Sequence, residues 1–183
     1  SPRVRSSAAS DVYKRQDTYR GDGNQDYMRF NVATTFTRAA EEALIDVESS
    51  IHVGARGPTN DSGVFNHTRD VGYGLIDGTE LFNAGLRNTA KNIVESLKGR
   101  SVYLCFDMDF FDPSCAPGVC TPTWGGATSR EGLDFLQNLT GLNLVGADIN
   151  TVSPPHDISG MTAFLAATVG LAVSYTHLTL PTI

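Results

Sequence analysis

The chain has three cysteines, Cys105, Cys115 and Cys120. An odd set without CxxC spacing argues against a disulfide framework and against a structural zinc site. No apolar run approaches the roughly 20 residues that a bilayer-crossing helix needs, so no membrane partner is expected. Basic residues are scarce, 14 Lys and Arg against 20 Asp and Glu, a formal net charge of −6. Such a surface repels phosphate backbones and makes nucleic acid an unsuitable partner, whereas a small cationic substrate would suit it. No secretory leader, internal repeat or low-complexity segment is visible, and a cytoplasmic location is the expectation.

The two ends read as foreign to the fold. Ser6–Gln16 (SSAASDVYKRQ) and Val173–Thr182 (VSYTHLTLPT) look like translations of opposite strands of one transposase-type sequencing adapter. Ser1–Arg5 lies upstream of the first and is excluded with it. Residues 1–16 and 173–183 are therefore treated as non-native tails, and 17–172 as part of one domain, truncated at its N-terminus. Removing the first tail takes away Arg3, Arg5, Lys14 and Arg15 against Asp11, so the remainder is more acidic still.

Within 17–172 strands and helices alternate. Thr35–Asp46 reads as an amphipathic helix and Ser50–Ala55 as a short apolar strand. Glu80–Lys98 carries Leu81, Leu86, Ile93, Val94 and Leu97 on one broad helical face, with Gly99 as its stop. Ser101–Met108 is an apolar run ending in carboxylates, as a buried parallel strand would be. Thr128–Glu131 has capping-box form and opens a helix to about Asn138. Leu142–Ile149 is the next strand and Met161–Leu171 a last apolar helix. Asp61–Asp70, rich in Asn, Ser, Gly and His, reads as a surface loop. The alternation predicts an α/β fold, a mostly parallel sheet with helices on both faces.

Ligands of open parallel sheets gather beyond the C-terminal ends of the strands. Asp107 and Asp109 stand there, two residues apart at the end of VYLCFDMD. Residues i and i+2 of a strand share a face, so both carboxylates can converge on one point. Mutual repulsion would raise one pKa, and a hard divalent cation would relieve it. Carboxylates that merely cap a loop remain an alternative. A calcium loop fails, because its required sixth-place glycine is Asp112 and its twelfth-place glutamate is Gly118. An aspartyl-phosphate enzyme is disfavoured, though not removed, by Phe110-Phe111. Asp112, followed by Pro113, is assigned to the turn. His52 reads as a core histidine, His67 as a solvated one and Cys105 as packing. Arg56 closes its strand and is placed to pair an acidic neighbour. Trp124 fits equally a pocket wall or loop packing.

The longer run Phe106–Gly118 (FDMDFFDPSCAPG), with Thr121-Pro122 and Gly125-Gly126 behind it, resembles the arginase/agmatinase signature FDxDxxDPxxAPG…TP…GG. Asp17-Thr18-Tyr19 is similar to the end of that family's DAHxDTY motif. Thr34–Asp46 resembles its TPFRRAxEEGLID helix, Val53–Gly57 its VGIRG strand, and Val145–Pro154 (VGADINTVSP) its VGADVVEVAP segment. The resemblance implies an arginase-like three-layer α/β/α domain, a homo-oligomer, and a ureohydrolase cleaving a C–N bond of a small guanidino compound. It implies two divalent ions, manganese first and nickel as the alternative. Asp107 would bridge them, with Asp109 on one and Asp17 on the other, and water activated between them would attack the guanidinium carbon. The other expected ligands belong to motifs upstream of Asp17. Thr151 stands where the family has the Glu that meets the guanidinium, and Val32 aligns with its catalytic His. Thr151 and His156 are the candidate substrate contacts. A divergent enzyme acting on guanidine or a short guanidino acid is therefore expected, with an inactive relative that keeps the metals for assembly as the alternative.

Overall fold

The computed structural model describes residues 5–9, 29–30, 34–57 and 64–177. Five parallel strands form one sheet: β1 (Arg5–Ala9), β2 (Ile51–Ala55), β3 (Gly74–Asp77), β4 (Ser101–Asp107) and β5 (Asn143–Asn150), in the order β3-β2-β1-β4-β5. The helices are α1 (Thr35–Glu41), α2 (Val64–Val71), α3 (Gly78–Ala84), α4 (Leu86–Ser96), α5 (Ser129–Asn138) and α6 (Met161–His177). The α/β/α architecture with a parallel sheet is as expected.

Strand alternation divides the sheet into two unlike faces. Leu104 and Phe106 of β4 point into the main core with Val53, Leu81, Ile93, Phe135 and Leu136, under α3, α4 and α5. Helix α6 closes this face over β5, where Gly170 approaches Ile149. The other face carries His52, Cys105 and Asp148, which are linked across the sheet through the register Ala8↔His52, Ala8↔Cys105 and Cys105↔Asp148. Helix α1 covers its β2 end, where His52 sits edge-on to Phe36 and Tyr73 at centroid distances of 5.4 and 5.0 Å. Toward β5 this face is polar: Tyr103 donates to Asp148 at 2.7 Å, and Asn150 donates to Asp148 and to Cys105. That bond to the Asp148 carboxylate, together with some burial, pushes the Tyr103 hydroxyl up to about 12.

Three expected elements change, and Arg5–Ala9, within the tail read as foreign, forms the central strand of the sheet. β2 and β4 each pair with it, in registers such as Ser7↔Ile51 and Ser7↔Leu104. The backbone groups of two inner strands need a partner there, and this segment supplies one. The last helix runs past Ala172, with Val173 buried, because VSYTH contains no breaker. The stretch Asp61–Asp70 is not a loop throughout: Val64–Val71 is α2, inward by half-buried Phe65, buried Thr68 and half-buried Val71. Their three-residue spacing is helical, but the threonine at its centre hides the apolar period; His67, read as solvated in a loop, is half-buried on this helix. The single helix expected over Glu80–Lys98 is two. Asp77 and Glu80 form a reciprocal capping box that starts α3 at Gly78, and Gly85, at φ 83°, ends it and begins α4. The capping box at Thr128–Glu131 is present as read.

Candidate metal centre

β4 delivers the carboxylate pair to the C-terminal edge of the sheet. Strand geometry stops at Asp107, and Met108–Phe110 turn as one 3-10 segment. Asp109 is therefore presented by a turn and not by strand alternation, which corrects the sequence argument for its direction. Both residues are buried: Asp107 is 7% exposed and Asp109 0%. Phe110 and Phe111, the residues that follow, anchor this turn in the core. Their rings pack at centroid distances of 5.5 and 5.7 Å from Phe106, and Phe110 lies 5.6 Å from Phe135.

The Asp109 carboxylate is only half satisfied. Oδ2 accepts from the Thr121 hydroxyl at 2.7 Å, while Oδ1 is buried without a hydrogen-bond partner among the described residues. Burial pushes its carboxyl above the usual carboxylate range, against the opposing pull of the Thr121 bond and the Arg56 charge. A buried, unpaired carboxylate oxygen is costly, and a hard cation is the partner that reverses the cost. The donor set here, two buried carboxylates with one orphaned oxygen, fits such an ion. Among the described residues no group of three or more His, Cys, Asp or Glu could hold a metal. Asp17, the third expected ligand, lies outside the described residues, as does Val32.

The loop behind the pair is closed from three sides. Asp112 accepts from the amides of Ser114, Gly125 and Gly126 at 3.0, 2.9 and 3.3 Å. Slight desolvation opposes it, but these bonds hold its carboxyl below the usual range. Asp112 thus shapes the turn, as assigned. The amide of Asp112 donates to Ala127 and that of Ala127 to Phe110, at 2.8 and 3.1 Å. Arg56, from the end of β2, donates through Nη2 to the carbonyls of Asp109, Phe111 and Thr123 at 2.6, 3.2 and 3.0 Å. Desolvation lowers its pKa, and the charges of Asp109 and Asp112 act in the opposite sense. Sequence reading gave Arg56 an acidic partner; its hydrogen bonds go to backbone carbonyls instead. Thr121 was missed as a partner of Asp109, although the Thr121-Pro122 step of the signature marks it.

The segment after β5 borders the same turn. Thr151 has φ 68°, a left-handed conformation that a β-branched residue rarely adopts. Its hydroxyl accepts from the Asp109 amide at 3.3 Å, and its carbonyl accepts from the Cys120 amide at 3.0 Å. Thr151 is therefore brought onto the carboxylate turn. His156 is exposed, and its Nδ1 is bonded to the Ser153 hydroxyl at 2.8 Å. Cys115 contacts the carbonyl of Asp112, Cys120 is exposed, and Trp124 projects with 76% exposure.

The chain is similar to known proteins in sequence and in fold. The guanidinobutyrase of Pseudomonas aeruginosa is 37% identical over 134 residues, covering 73% of this chain and 42% of that protein. The agmatinase of Photorhabdus laumondii is 36% identical over 159 residues, 87% of this chain and 48% of that protein. Among solved structures, the proclavaminate amidino hydrolase of Streptomyces clavuligerus superposes with a TM-score of 0.80 at 30% identity, over 94% of this chain and 55% of that one. The chain spans about half the length of the relatives it matches. The arginase family model matches residues 17–175, from the aspartate read as a ligand into the last helix. On fold, motif order and sequence identity together, the chain belongs to the arginase family.

Proposed function

We propose that the full-length protein hydrolyses a C–N bond of a small guanidino compound, releasing urea together with the amine (ammonia where the substrate is guanidine), with two divalent ions held in part by Asp17, Asp107 and Asp109. The observation that carries this reading is the buried Asp107–Asp109 turn with its orphaned Oδ1. The names of the relatives, a guanidinobutyrase, an agmatinase and a guanidinopropionase of Pseudomonas aeruginosa, support the substrate class. Divalent ions, manganese first and nickel as the alternative, supply Lewis-acid activation of water when bound. The chain's own residues prepare the place. Thr121 fixes one oxygen of Asp109 and so aims the other. The phenylalanines behind the turn exclude water from its core side. Thr151, where the family has a glutamate, accepts from the Asp109 amide with one lone pair of its hydroxyl and has a second with which to accept a guanidinium N–H. A neutral group there suits a short substrate without a cationic tail, such as guanidine or a short guanidino acid; His156 stands further out, on an exposed turn.

A second reading is a protein that keeps the ions without turnover. It is favoured by the use of the Thr151 hydroxyl on a backbone amide, a structural role. The discriminating experiment is urea release by the manganese-loaded full-length protein from guanidine, 3-guanidinopropionate, 4-guanidinobutyrate and agmatine. Turnover of a short substrate above agmatine is expected. Preference for agmatine would overturn the assignment of Thr151, and bound metal with no turnover would favour the second reading.

A further inference from the structure

Arg56 is separated from the carboxylate turn by more than fifty residues of chain, yet one of its nitrogens meets three carbonyls of that loop. It leaves the end of β2, and the turn leaves the end of β4, with β1 between them. Two inter-strand spacings amount to roughly 9–10 Å, so the contact needs a long side chain and a loop that folds back toward it. The loop is cut to admit it. A Cβ on Gly126 would lie 2.5 Å from Arg56 Nη2 and 2.6 Å from the amide nitrogen of Asp112. The three carbonyls are not equivalent. That of Asp109, at 2.6 Å, belongs to the residue whose Oδ1 has no hydrogen-bond partner among the described residues, and those of Phe111 and Thr123 lie on the two arms of the loop behind it.

We propose that Arg56 is a positioning residue for the metal centre: its guanidinium pins the Asp109 carbonyl and both arms of the loop, and so sets where the Asp109 carboxylate points. The inference rests on the dimetal reading above. It makes no bond to an ion or a substrate. Outer groups that orient a ligand change metal affinity by about 10–100-fold when removed.

The test uses the full-length protein as wild type, Arg56→Met, Arg56→Lys and, as control, Arg87→Met, which breaks only the exposed pair with Asp134. Manganese affinity is measured by chelator competition, and thermal unfolding is followed on the same metal-free samples. Arg56→Met is expected to bind manganese at least about tenfold more weakly while unfolding as a folded protein. Arg56→Lys, which keeps the charge but lacks the reach and the planar fork, should fall between it and wild type. Arg87→Met should bind as wild type. Wild-type manganese affinity in Arg56→Met overturns the inference; should that variant not fold, wild-type affinity in Arg56→Lys overturns it equally. A wild-type protein that binds no manganese sinks the dimetal reading itself, a separate result.

Discussion

Acidification should unfold this protein partly through one residue, His52. Its side chain is held between Phe36 and Tyr73 on the face of β2 that α1 covers, and it is 5% exposed. Burial lowers its pKa from 6.5 to about 4. The unfolded chain takes up a proton near pH 6.5 that the folded protein refuses until about pH 4. The stability contributed by the neutral ring is therefore complete above pH 6.5 and lost as the pH falls through that window. The gap corresponds to about 3 kcal/mol in full, of which about 2 kcal/mol is gone by pH 5. Urea unfolding of the metal-free full-length protein at pH 7 and pH 5 reads this directly, with His52→Phe as the comparison. Phenylalanine keeps an aromatic ring in the cluster and removes the titration, while all other acid-sensitive groups are common to both proteins. Wild type should lose about 2 kcal/mol more than His52→Phe between the two pH values. Parallel losses would refute the reasoning and place His52 in a site that accepts its cation.

Two further substitutions test how the helices hold the site. Gly132→Ala would put a Cβ 2.1 Å from Cε1 of the buried Phe111 ring, so α5 must move off the aromatic core; a stability loss of about 1–3 kcal/mol in chemical denaturation is expected. Thr128→Ala removes the hydroxyl that accepts from the Glu131 amide at 3.2 Å and should cost about 1 kcal/mol, read in the same assay, without altering metal content.

The parts of the fold legible in the sequence are those where local chemistry and tertiary packing agree. Thr128–Glu131 needs only its own side chains to start a helix, and the apolar residues of Ser101–Asp107 are those an inner strand buries in the main core, Val102, Leu104 and Phe106. Gly85 was read within a helix because the apolar residues on either side keep one period across it. Its positive φ is set by the turn between α3 and α4, which no local pattern announces. Val64–Val71 was missed because its inward face centres on a threonine. The place of Arg5–Ala9 is a property of the sheet, created by β2 and β4, and its residues carry no signal of their own. At the site, the spacing of Asp107 and Asp109 was visible, as was the turn-forming role of Asp112. The 3-10 turn that aims Asp109, its bond to Thr121 and the reach of Arg56 depend on contacts between segments far apart in sequence.

The Asp107–Asp109 turn is proposed to hold divalent metal. Manganese content of the purified full-length protein, counted per chain for wild type and for Asp109→Asn, tests it most directly. Two ions per wild-type chain and a clear loss in a folded Asp109→Asn are expected. Wild-type metal content in the variant, or none in either protein, would contradict the assignment of these carboxylates.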